Sequence, residues 1–151
     1  MIQVKTRDFG MLEMPLETIY KFPQGLYGFD SEKEFVLFSK PIDDISFLYL
    51  QSTEDQALCF FVFEPWDLFP DFNPLISREE LEAMEVTSSE DLIFLSIAAI
   101  PSSVKDMTIN LKSPIVINTK LQKGMQIILQ NADYEVRFHP FTASSNDGIP
   151  C

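Results

Sequence analysis

The sequence predicts an all-β, mostly antiparallel fold, a small closed or partly open β-barrel with one or two short helices. Three observations carry this. Short runs rich in Val, Ile, Phe and Tyr recur along the chain and are separated by turn residues. Two of the runs, residues 57–64 and 92–100, are apolar at nearly every position, as in strands covered on both faces. Helix-type patterning is confined to one or two brief stretches.

The elements follow in order. Residues 2–6 and 11–14 form a hairpin around Asp8-Phe9-Gly10, where the glycine supplies the positive φ of a tight turn. Residues 18–22 form a strand that leads into FPQGLYGF (22–29), an ordered loop that Phe22, Leu26 and Phe29 pin to the core. Strands follow at 34–38, 46–52 and 57–64. PWDLFPDF (65–72) is too rich in proline for a long helix and sets three aromatic rings beside an acidic pair.

Ser77 begins a helix, with Glu80 three residues on placed to reach back to the cap residue and with Leu81 and Met84 on one face. A turn at 87–90 precedes the strand 92–100, which Pro101 stops. The series closes with strands at 107–111, 115–118, 126–130 and 134–138, and Lys123-Gly124 supplies the hairpin turn before the third of these. About ten strands within residues 1–141 is the count of a single barrel or sandwich, and residues 142–151 carry too little apolar surface to order themselves.

Composition bounds the function. The chain has 151 residues and a formal charge of −12, from 23 acidic residues against 11 Lys and Arg. No basic stretch offsets this field, so direct nucleic-acid binding and attachment to anionic membranes are disfavoured, while a basic protein partner would be attracted. Solubility alone explains the charge about as well. Of the two cysteines, Cys59 lies in an apolar run and Cys151 ends a polar tail, a pair unsuited to a disulfide or a metal site, which suggests a reducing cytosol. Neither a secretory leader pattern nor a membrane-length apolar run is present in the 151 residues, and no small-molecule substrate is implied.

Chemistry finds little to work with. His139 is the sole histidine, flanked by Phe138 and Pro140, and no nucleophile signature accompanies it. The paired carboxylates Asp43-Asp44, Glu54-Asp55, Glu79-Glu80 and Glu90-Asp91 sit at turns or helix starts, where acids cap N–H groups or face solvent. No cofactor or metal is expected; a flavin-type barrel enzyme stays as an alternative, although it lacks basic or glycine-rich phosphate anchoring, and a purely structural subunit is another. Trp66 is the candidate interface anchor, with Asp67 and Asp71 beside it.

Six segments, taken together and in order, resemble the FliW family of flagellar assembly factors: TRDFGMLE (6–13), FPQGLYGF (22–29), LQSTEDQALCFFVFEP (50–65), NLKSPIVIN (110–118), GMQIIL (124–129) and YEVRFH (134–139). Gln24 and Tyr27 stand where the family often has Glu and Pro, and Cys59 and Ser113 where Ala is commoner. The resemblance implies a cytoplasmic, non-catalytic protein that binds flagellin and, alternately, the carbon storage regulator CsrA, a small RNA-binding dimer that represses flagellin translation. An acidic barrel suits a partner with basic surface. The expected contact residues are Gln51, Glu54 and Asp55 in one turn and Trp66, Asp67 and Asp71 in the segment after the following strand.

Overall fold

The computed structural model describes residues 1–42 and 45–141; the carboxylate pair at 43–44 and the tail at 142–151 lie outside the described residues. Ten strands and two short helices make up the described part: β1 (Ile2–Thr6), β2 (Gly10–Met14), β3 (Ile19–Lys21), β4 (Glu34–Ile42), β5 (Ile45–Ser52), β6 (Cys59–Phe63), α1 (Pro65–Leu68), α2 (Arg78–Ala83), β7 (Leu92–Ala99), β8 (Thr108–Ile109), β9 (Ile115–Asn118) and β10 (Lys123–Gln126). No described helix is long and apolar enough to cross a membrane.

The sheet runs β6-β5-β4-β3-β10-β9-β7, and β7 pairs back onto β6 through Phe61↔Ala98, Val62↔Ile97 and Phe63↔Ser96, closing a seven-stranded barrel. Closure removes the open sheet edges that would otherwise invite pairing with other chains. Every pairing is antiparallel except β3 with β10. The hairpin β1–β2 lies outside the ring and packs Val4 and Met14 onto Ile19 and Val36.

The near-continuous apolar character of β6 and β7 follows from two cores, one on each side of the barrel wall. Phe60 and Val62 of β6, with Ile93 and Leu95 of β7, face the interior cluster of Phe22, Phe35, Leu50, Ile115 and Ile117. Phe61, Phe63, Phe94 and Ala98 face an outer cluster built from Phe72, Met84, Met107, Ile127 and Leu129. Both faces of these strands are therefore covered, which removes the polar alternation of a half-exposed strand.

Several expectations from sequence need correction. Lys123-Gly124 is not the last hairpin turn but the start of β10. The turn is made by Asn118, whose Oδ1 accepts from the N–H groups of Lys120 and Leu121, and by Gln122 at φ 53°. The strand expected at 126–130 accordingly begins earlier and ends at Gln126; Ile127 and Leu129 stay buried but bond to Pro114 and Lys112 outside a regular ladder. The strand expected at 107–111 shrinks to Thr108–Ile109. Residues 134–138 form only a single bridge, Ile109↔Phe138.

At α2, Ser77 caps as expected, its Oγ accepting from Glu80 N–H at 3.2 Å. Glu80 reaches back to the cap residue, its carboxylate accepting from Ser77 Oγ, and it also accepts from the N–H of Ile128, tying the helix to the chain after β10. Leu81 is exposed and Met84 buried, so the two do not share a core face. In the loop at 22–29, Phe22 and Leu26 are buried as anchors, but Phe29 is 39% exposed and rests edge-on against Phe60.

Candidate partner-binding surface

The turn between β5 and β6 is built around two buried polar side chains. Ser52 Oγ accepts from the N–H groups of Glu54 (3.0 Å) and Asp55 (2.9 Å) and donates to Glu32 Oε1 (3.2 Å). Gln51 is completely buried; its Oε1 accepts from Arg7 N–H at 2.8 Å, while its Nε2 donates to the carbonyls of Ser52, Gln56 and Leu58. With both ends of its amide engaged internally, Gln51 shapes the turn and fastens it to the β1–β2 hairpin. It presents no group at the surface.

The carboxylates stand outside this frame. Glu54 Oε1 accepts from Lys33 N–H (2.7 Å), and Asp55 Oδ1 from Ala57 N–H (3.0 Å). Because Phe35 pairs with Ser52, the start of β4 runs beside the turn and adds Glu34, which accepts from Thr53 Oγ1 at 2.8 Å. Glu32, Glu34, Glu54 and Asp55 thus converge on one patch. Lys21 bridges Glu34 at 2.9 Å, and that hydrogen bond, with the one from Thr53, holds the Glu34 carboxyl below its ordinary range. Glu32 and Glu34 were not among the residues singled out from sequence. The signal for them was available in the run DSEKE (30–34) at the start of a strand whose hairpin partner ends in STED (52–55).

Trp66, Asp67 and Asp71 occupy a different place. Pro65 opens α1, where its missing N–H costs nothing, and the indole of Trp66 packs edge-on against Phe72 and Phe94 while Nε1–H donates to Phe72 O at 2.9 Å. The ring is 39% exposed, so it covers the outer core and still offers an edge. Asp67 and Asp71 are exposed. This group follows the end of β6, whereas the 51–55 turn precedes its start. The five residues of β6 hold the two acidic groups about 13 Å or more apart. The six sequence-predicted residues thus fall into two groups, one at each end of β6.

Other groups with chemical potential are quiet. Burial pushes the Cys59 thiol up to about 11, outweighing the opposing pull of Arg7, so it stays protonated near neutrality. His139 is exposed. Among the described residues no three His, Cys, Asp or Glu side chains converge as a metal-ligand set.

Comparison with known proteins gives one answer. A family model described as "FliW protein" matches residues 3–140. The flagellar assembly factor FliW of Alkaliphilus metalliredigens is 35% identical over 136 residues, covering 90% of this chain and 84% of that protein. The FliW of Geobacillus kaustophilus is 34% identical over 140 residues, covering 93% and 96% respectively. A solved crystal structure of the flagellar assembly factor FliW superposes with a TM-score of 0.82 at 33% identity, over 93% of this chain and 98% of that one.

Proposed function

Because this chain belongs to the FliW family of flagellar assembly factors, we propose that it works as a cytoplasmic partner-switch, binding flagellin and, alternately, the translational regulator CsrA. While unexported flagellin is present it occupies the factor and CsrA stays free to repress; once flagellin leaves, the factor takes up CsrA and translation resumes. This asks for two linked binding equilibria and no covalent step.

The observation that supports the reading most is the patch of Glu32, Glu34, Glu54 and Asp55 on a rigid turn. A protein that binds RNA carries basic surface, and preorganised carboxylates steer such a surface into register and raise the association rate. Asp67 and Asp71, at the other end of β6, add to the long-range field and lie towards the rim of a footprint centred on the patch.

Charge reversal at Glu32, Glu54 and Asp55 is expected to lower the CsrA association rate by about tenfold or more at low salt and to flatten its salt dependence. Reversal at Asp67 and Asp71 is expected to change it less. Flagellin added to the preformed complex is expected to release CsrA. If the triple reversal leaves the rate and its salt dependence at the wild-type values, the placement is wrong; if CsrA and flagellin both fail to bind the wild-type chain, the switch itself is.

A further inference from the structure

We propose that a second feature, the cleft between α2 and the barrel, is a docking pocket for one large apolar side chain of a basic, amphipathic protein segment. The cleft has a volume of about 160 Å³ and lies between Pro23-Gln24 on one side and the end of α2 on the other, with Met84, Val116 and Met125 among its lining residues. An apolar cavity of about 150 Å³ accommodates a benzene-sized group, so Leu, Met or Phe matches this volume.

The chemistry of the lining selects an apolar occupant. Asn118 is the polar side chain within the cleft, and its Nδ2 donates to Met84 O (2.9 Å) while its Oδ1 accepts from Lys120 and Leu121 N–H. Its hydrogen-bonding groups are engaged, so replacing cleft water with a hydrocarbon group leaves them satisfied. The polar side chains at the mouth are Gln24, which is exposed, and Glu85 and Lys123, an exposed ion pair at 3.2 Å that opens at little cost.

The charge around the mouth selects a basic segment. Glu79, Glu82 and Glu85 are exposed along and just after α2, against Arg78 on the same stretch. A shallower groove lined by Arg78, Leu81, Glu82, Glu85 and Val86 adjoins the first and shares Glu85, so a helix with apolar groups one turn apart and lysines set towards Glu82 and Glu85 would meet complementary surface. Glu85 itself has φ 55°, in the left-handed region that follows a helix end and where glycine is the easier residue; here the position carries a carboxylate at the cleft mouth.

This inference does not depend on which natural partner supplies the segment. The test uses the full chain with [methyl-13C]methionine and a synthetic 20-residue helix-forming peptide bearing leucines on one face and lysines on the other. A matched peptide with serine for leucine is the control. The expected result is saturable shifts of the Met84 and Met125 methyl signals that exceed any at Met11 and Met14 in the β1–β2 hairpin.

The serine peptide and the cleft-filling variant Ala83→Trp are each expected to weaken binding at least tenfold. Glu85→Gly is expected to weaken it several-fold while leaving the thermal midpoint unchanged or higher, because the left-handed position suits glycine, so the loss cannot be assigned to misfolding. Equal binding of the serine peptide, shifts at Met11 and Met14 as large as those at Met84, or no shift at Met84 would each overturn the proposal.

Discussion

Replacing Gln51 by leucine separates a structural role for this residue from a partner contact. The change keeps side-chain size and removes the amide that links Arg7 N–H (2.8 Å) to the carbonyls of Ser52 (3.0 Å), Gln56 (3.1 Å) and Leu58 (3.1 Å). Leu58 O keeps Ser52 N–H as a donor, so the groups that lose most are Arg7 N–H and Gln56 O. An orphaned buried polar group costs about 1–3 kcal/mol; both residues reach solvent, which favours the lower end, and a leucine in a polar socket adds its own mismatch. The expected loss is about 2–3 kcal/mol in urea titration, seen as a lower midpoint with unchanged slope. At this chain length that corresponds to a thermal midpoint lower by roughly 4–12 °C.

Hydrogen exchange adds a local readout. Amides of β1 and β2 should exchange faster in the variant, because Gln51 is one of the ties between the hairpin turn and the barrel, alongside Gln56 Nε2 to Thr6 O and Arg7 Nη1 to Cys59 O. Where the variant remains folded, its CsrA affinity should fall only as far as the turn is disordered. An unchanged urea midpoint together with a large loss of CsrA affinity would refute the reasoning and make Gln51 a direct contact.

Two further substitutions and a pH effect follow from the same geometry. Gly25 and Gly10 share φ +68°, but a Cβ at Gly25 would meet Phe29 O at 2.6 Å and the Asp30 backbone at 2.8 Å, whereas Gly10 faces open space. Gly10→Ala should therefore cost about 1–2 kcal/mol, the left-handed penalty alone, and Gly25→Ala distinctly more; equal midpoints in denaturant would sink this distinction. Cys59 should resist iodoacetamide at pH 8 in the native chain and react once urea is added, as mapped by peptide mass. Its folded thiol is raised from 9.0 to about 11, so the stability it contributes is complete below pH 9 and lost as the pH rises towards 11. Cys59→Ala should flatten that part of the stability profile, and rapid labelling of the native thiol would contradict the burial argument.

The parts of the fold legible in the sequence are those where local chemistry and tertiary packing ask for the same residue. Gly10 adopts the positive φ that its turn needs, Ser77 caps α2, and β6 is apolar throughout because a core lies on each side of it. Gly124 shows the opposite case. It reads as a turn glycine, yet it sits in β10 because any Cβ there would overlap the Phe22 ring, a requirement set by a residue about a hundred positions away. The real turn is governed by the Asn118 side chain, a signal that resembles ordinary strand-end polarity. Residues 126–130 and 134–138 read as strands, but beyond Gln126 they are held by loop bonds and one bridge, Phe138 to Ile109 of the two-residue β8. Of the candidate site, the turn at 51–55 was visible; its partners Glu32 and Glu34 depend on the register of β4 with β5.

That register also bears on how two partners could alternate. Glu34 pairs with Lys21 across β4 and β3, and Lys21 pairs with Lys123 across β3 and β10. Lys123 in turn bridges Glu85 at the mouth of the α2 cleft. The acidic patch and the cleft are thus two strand spacings apart along one rim of the barrel, about 10 Å. A protein interface of ordinary size covers about 800 Å² on each partner, a disc roughly 16 Å in radius. A protein centred on either feature therefore covers the other. Under the proposed reading, exclusion of one partner by the next requires no change of barrel conformation. It requires only that their footprints include this rim, and variants at Glu85 and Glu54 should then affect competition even where they leave one partner's own affinity unchanged.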